Sequence, residues 1–320
     1  MTATFLTQLL LQVWLPIAML VAAGGLWTRY RRQIPADRLR VDLNRLVVDV
    51  LAPPLLFALS AQATISLELL SVPLITAIGS AVGFAVLYPV LYLSPIGRKL
   101  AHETRAAILL AGIFANVMFM GLPTLGFLFG PAGEPYAAFA DVLASTPILW
   151  TFGVWIATRL GHEHGHGESL FMTVLKLPPI WGFVLGFAVN LSGIEVEPLV
   201  KATRFVGMAT IPIMLFTLGL SIPWGNLRPT LPVGIAVGVK LIIAPLGAWL
   251  FAHVLFGSSG NGTLAEAQQA GVLEAAMPTM VMAASFADRF NLDVRAAALT
   301  AGLSSLGFLV TLPLWIALLR

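Results

Sequence analysis

The chain has 320 residues, 58% of them hydrophobic and 10% charged, and a mean hydropathy of +0.90. A soluble domain carries about 25% charged residues, so this composition excludes one and defines an integral membrane protein. The net charge of +3 and the lack of any cysteine leave no basic surface for nucleic acid and no thiol chemistry.

The first apolar run, "LTQLLLQVWLPIAMLVAAGGLW", precedes the first charge, Arg29. It has neither a basic start nor a small-residue cleavage site, and so reads as a retained helix rather than a signal peptide. Runs of about 20 apolar residues can cross a hydrocarbon core. Ten are predicted, at 7–28, 44–62, 71–93, 106–130, 137–159, 171–191, 203–223, 230–256, 264–287 and 295–319. Lipid offers backbone groups no partner and no barrel-like alternation is present, so all ten are expected to be helices.

The loops after spans 1, 3, 5, 7 and 9 hold 14 of the 18 basic residues. The opposite side holds only Lys201, Arg204 and Arg320. The positive-inside bias then predicts a multi-pass protein of the inner membrane with both termini outside the cytoplasm.

Ten spans divide into two halves of five. "TFGVWIA" (151–157) closes the first half and "TLPLWIA" (311–317) the second, 160 residues later. "APPLLFAL" (52–59) matches "IPIMLFTL" (211–218) at an offset of 159, and Pro89 meets Pro245 at 156. A steady offset predicts duplication, and an odd number of spans per half makes the repeats inverted. The expected fold is all-α, with a first repeat over 1–160, a cytoplasmic linker over 161–170 and a second repeat over 171–320. Inverted repeats are the plan of secondary transporters, which bind substrate where helices break near the midplane.

The breaks are legible too. "ANVMFMGLPTLGF" (115–127) sets Asn116, Gly121 and Pro123 inside span 4, and "AMPT" (276–279) in span 9 answers "GLPT" (121–124). Proline lacks an N–H, so Pro123 should free the carbonyl of Phe119 and Pro278 that of Glu274. Open backbone at membrane depth is tolerated only inside protein or along a cavity.

These residues resemble the auxin efflux carrier family, the plant PIN exporters and their bacterial relatives, within the wider bile-acid symporter-like group. "NVMFMGLPTLGFLFG" (116–130), "EAAMPTMVMAASFADRFNLD" (274–293) and "LNRLVVDVLAPPLLF" (43–57) carry the likeness, which spans essentially the whole chain. The resemblance implies a scaffold of helices 1, 2, 6 and 7 and a moving domain of helices 3–5 and 8–10. It also implies that helices 4 and 9 cross beside the substrate, and that the protein is a homodimer. Ala115 stands where plant members carry proline, which leaves the span 4 break at either Asn116 or Pro123. Val117 and Met118 replace small residues of many bacterial members and imply a narrower pocket.

Glu274 and Lys240 are the ionisable side chains read as deep in spans, each costing at least about 2.5–3.5 kcal/mol at the bilayer centre. Either Glu274 titrates or holds a cation while Lys240 attracts an anion, or the two form an internal ion pair. Asp49, close to Arg45, reads as structural, and Ser304 and Ser305 as packing hydroxyls. Asn116 offers two donors and an acceptor, and Thr279 either caps a half-helix or donates to ligand. "HEHGH" (162–166) fits a zinc-protease pattern, but Gly161, Gly165 and Gly167 each cost a helix about 1 kcal/mol, so a linker is expected.

The expected function is a permease, not an enzyme, that exports a small organic anion such as a malate- or malonate-like carboxylate by an elevator-type movement. Asn116, Gly121, Pro123, Pro278 and Thr279 would bind substrate, with Glu274 and Lys240 as charge partners and H+ or Na+ as coupling ion. No metal or cofactor is expected. The alternatives are a sodium-coupled importer of bile-acid type, a membrane metalloprotease and a non-transporting sensor.

Nine of the 18 basic residues lie in 29–45 and 94–105, so these loops should face the cytoplasm. In this cysteine-free chain, an impermeant thiol reagent added outside should label Thr64→Cys and spare Ala101→Cys. The reverse pattern refutes the topology.

Overall fold

A computed structural model of the chain describes residues 3–30, 34–161, 177–225, 227–257 and 264–319; among them there are helices and no strands. In chain order the helices begin with Thr4–Tyr30 (α1), Ala36–Ala61 (α2), Leu67–Leu93 (α3) and His102–Ile113 (α4). A helical run Val117–Leu160 follows, 44 residues long. At 1.5 Å per residue a straight helix of that length would reach about 66 Å, twice the hydrocarbon thickness. It is not straight: Gly130 adopts φ +65°, ending one arm, 117–129 (α5), before the second, 133–160 (α6). Pro178–Ser192 (α7), Glu197–Ser221 (α8), Leu231–Phe256 (α9), Glu266–Ala276 (α10), Ala283–Arg289 (α11) and Val294–Leu319 (α12) follow, and a single helical turn, Pro95–Arg98, lies between α3 and α4.

Seven of these stretches, counting Val117–Leu160 as one, are long and apolar enough to span a membrane. The match to the ten expected spans is uneven. Spans 4 and 5 share one helical run after an interruption at Phe114–Asn116, and span 9 is divided into α10 and α11. Span 6 is met by the 15-residue α7, residues 171–176 lying outside the described ones, as does "HEHGH".

The helices pack as two groups. α2 lies along α7 and the first turns of α8, and α1 lies along the rest of α8. In the second group α3 packs on α9, α10 and α6, α5 on α6, and α12 on α4, α9 and α11. Lipid is as apolar as leucine, so close steric fit and buried polar bonds rather than water exclusion hold such helices together. Glycine supplies the fit in the first group. A Cβ at Gly24 would strike the Phe216 carbonyl, one at Gly219 the Val21 carbonyl, and one at Gly182 or Gly186 the Pro53 or Phe57 carbonyl.

Asn190 of α7 adds a polar clasp. Its amide donates to the carbonyls of Ser60, Ala61 and Ala63 at 3.1, 2.9 and 2.8 Å, at and just past the end of α2. The Ser60 hydroxyl in turn lies 3.0 Å from the Phe183 carbonyl.

Leucine at position 219 must push α1 from α8, whereas Gly234 faces open space. Gly219→Leu should therefore lower stability by about 1–3 kcal/mol, read as a fall in melting temperature in detergent, while Gly234→Leu leaves it unchanged or raised. Equal effects would show that the α1–α8 contact is not close-packed.

Candidate functional site

The two interruptions meet. α4 ends at Ile113, where Phe114 turns extended (φ −89°, ψ 124°), and helix resumes at Val117. α10 ends at Ala276, and Met277 is likewise extended (φ −60°, ψ 148°). The Asn116 N–H donates to the Pro278 carbonyl at 2.7 Å, and the Met280 N–H to the Phe114 carbonyl at 3.0 Å. Ala115 and Thr279 face each other across this one antiparallel bridge. Each peptide group left unpaired in lipid would cost several kcal/mol, so each break supplies what the other lacks.

Side chains satisfy the remainder. The Thr279 hydroxyl donates to the Ala111 carbonyl at 2.7 Å, near the end of α4. Its N–H donates to the Ser304 hydroxyl oxygen at 3.0 Å, and Ser304 Oγ lies 3.0 Å from the Ala301 carbonyl, to which it donates. Lys240, buried in the π-helical turn Val239–Ile243, donates to the Ala275 carbonyl at 2.9 Å. A cation there also complements the negative end of α10.

This corrects one expectation. The Glu274 carbonyl is not left open by Pro278, because the Met277 N–H reaches it at 3.2 Å; Ala275 provides the carbonyl that Lys240 needs. Nor does an ion pair of 4 Å or less join Lys240 to Glu274. Glu274 is fully buried, and neither carboxyl oxygen has a hydrogen-bond partner among the described residues. It lies against Gly121, where a Cβ would collide with both oxygens. Asp141 and Lys240 are the charges that act on it.

In front of the paired breaks lies a cavity of about 710 Å³, lined by α2, the 114–119 break, α6, the start of α7, and 280–289. Of its polar lining, Asn116 is buried and Asp141 half-buried, which marks the enclosed end, and the exposed Arg45 and Arg289 mark the rim. The Asn116 amide nitrogen is buried and has no partner among the described residues. Arg289 lies over the Trp150 ring, 5.0 Å from its centroid.

Polar contacts link the two helix groups on either side. Arg40 is buried and donates to the Ser285 hydroxyl at 2.9 Å, with Asp288 at 3.8 Å, and the Asn44 amide reaches Ser285 at 2.5 Å. Away from the cavity, Arg204 of α8 pairs with Glu134 of α6 at 2.5 Å.

Of the seven site residues expected from sequence, Asn116 alone lines the cavity. Pro278 and Thr279 form the backbone pairing behind it, and Gly121, Glu274 and Lys240 lie together behind that. Pro123 lies inside α5, just past its π-helical opening turn Val117–Gly121 and apart from the interruption, which places the break at Asn116. Asp49, expected to be structural, lines the cavity beside Arg45. Sequence reasoning missed Asp141, a lone charge four residues into span 5, and also Arg40, Asn44 and Ser285. Among the described residues no cluster of three or more His, Asp or Glu could hold a metal.

Apolar helices in this number, with interrupted backbone paired at depth before a cavity, define a multi-pass membrane transporter. A family profile described as "Membrane transport protein" matches residues 10–316. The chain belongs to that family, the auxin efflux carriers, and is a permease rather than an enzyme. It is 29% identical over 276 residues to an "Uncharacterized transporter" of Methanothermobacter thermautotrophicus, covering 85% of this chain and 87% of the relative. It is 24% identical over 315 residues to "Uncharacterized transporter YfdV" of Escherichia coli K12, with 96% of each chain covered.

Gly121→Ala should displace the Glu274 carboxyl and lower stability by about 1–3 kcal/mol. Glu274→Ala should absorb most of that loss in a double-mutant cycle measured by thermal unfolding. Additive effects would mean that the two residues do not touch.

Proposed function

We propose that this transporter moves small organic anions, carboxylates, out of the cell across the inner membrane by an elevator-type movement. The cavity that ends at the Asn116 amide between two arginines at its rim carries the reading. Guanidinium groups suit carboxylates, and a buried amide N–H without a partner suits an acceptor on the ligand. The rim belongs to the arginine-rich face, cytoplasmic by the positive-inside bias. On this reading both termini lie outside and the conformation is open to the cytoplasm. The Arg204–Glu134 pair then closes the outer side.

The inverted repeat is supported by the packing, which pairs span 1 with span 7 and span 2 with span 6, as two inverted halves would. The paired breaks are then the crossed helices of spans 4 and 9. α1, α2, α7 and α8 would form the scaffold, dimeric in the membrane through its exposed apolar face, and the remaining helices would carry the site past it. Sodium coupling is a second reading, favoured by the free Glu274 oxygens; dependence of flux on a sodium gradient separates it from proton coupling or uniport.

Asn116→Leu removes the polar group and keeps a similar volume. Flux of malate or malonate in proteoliposomes should fall at least about tenfold, with a melting temperature near wild type. A variant that is unstable yet active per folded molecule would make Asn116 a packing residue and refute the reading.

A further inference from the structure

We propose that the organic acid carried in this cavity also bears a protonated amine, which Asp141 receives at the enclosed end. The inference rests on the carboxylate reading of the same cavity.

Asp141 opens the π-helical turn Asp141–Ser145 of α6 and lines the cavity together with Asn116, Ser145 and Thr146. No ion pair among the described residues includes it. Thr146 is the polar side chain that acts on it, and no basic group does. Behind it neither oxygen of Glu274 has a hydrogen-bond partner among the described residues. Lys240 is the cation that acts on Glu274, and its ammonium is already directed to the Ala275 carbonyl. The enclosed end thus sets two carboxylates against one ammonium.

The rim has the opposite character. Arg45 and Arg289 are exposed there, and Asp288, the acid next to Arg289, faces Arg40 at 3.8 Å; Asp49 is the remaining rim carboxylate. A substrate oriented with its carboxylate to the rim and its ammonium inward meets complementary charge at both ends. A plain dicarboxylate would instead press an anion against Asp141, where low dielectric makes like charges costly. Phe114, Leu149, Trp150, Met280 and Phe286 line the space between, so the carbon skeleton meets apolar walls. An amino carboxylate with an aliphatic or aromatic body fits this pattern.

The test compares matched acids with and without the amine: leucine with 4-methylpentanoate, phenylalanine with 3-phenylpropionate, glutamate with glutarate. Counterflow in proteoliposomes and ligand-induced shifts in melting temperature are measured on the wild-type protein. At least one amino member should be moved and bound about tenfold or more better than its partner, and Asp141→Asn should abolish that preference while Asp141→Glu retains part of it. Equal or better handling of the amine-free acids by wild type overturns the inference and leaves the carboxylate reading intact; a proton or sodium ion would then balance Asp141. If no acid of either series moves or shifts the melting temperature, the carboxylate reading falls and this inference with it. Should Asp141→Asn fail to fold, the wild-type comparison still decides.

Discussion

A peptide group that leaves a helix inside a membrane has no water to turn to, and this protein opens two helices at the same depth. Two hydrogen bonds, Asn116 to Pro278 and Met280 to Phe114, resolve the conflict by making each break the partner of the other. Much of the surrounding polarity follows from it. α4 and α10 still end with open carbonyls, and the Thr279 hydroxyl and the Lys240 ammonium are directed at Ala111 and Ala275. Ser304 accepts the Thr279 N–H that the bridge leaves unpaired. Thus many of the polar side chains at depth are responses to interrupted backbone, while Asn116 and Glu274 keep unpartnered atoms and Asp141 lines the cavity.

The two helix groups are joined in different ways within and between themselves. Within the first group, glycines bring α1 and α7 onto the backbones of α8 and α2, a close fit that a single Cβ would disrupt. Between the groups, the contacts include polar bonds of long side chains, Arg40 with Ser285 beside the cavity and Arg204 with Glu134 away from it. Such contacts are separable pairs of side chains rather than interlocked backbones. A molecule built this way concentrates its freedom of movement at the boundary that the cavity occupies, which is where the proposed elevator needs it.

The sequence made the interruptions legible because proline and asparagine in an apolar run conflict with helix locally, whatever the fold. It made Glu274 and Lys240 legible because charge in such a run is expensive. Their partners were not legible. Gly121 reads as a helix breaker, yet its role in the structure is to leave room for the Glu274 carboxyl, a contact between residues 153 positions apart. Pro123 reads as a break, yet it is accommodated inside the helical run, directly after the π-helical turn Val117–Gly121. Asp141 lay close enough to a span end to pass for an interfacial residue, and only the turn at Gly130 and the folding back of α6 bring it to the enclosed end of the cavity.

Because the central pairing uses peptide groups, it places few demands on side chains beyond the ability to leave the helix. Ala115 and Phe114 take part through their backbones, and other residues could do so with the same hydrogen bonds. The cavity wall is under no such restraint: Asp141, Trp150 and Arg289 could each change without opening a backbone bond. The architecture can therefore persist in distant relatives while the chemistry of the cavity changes, and a shared fold does not carry a shared substrate with it. Substrate choice has to be argued from the charges that line this cavity, and the least balanced of them is Asp141.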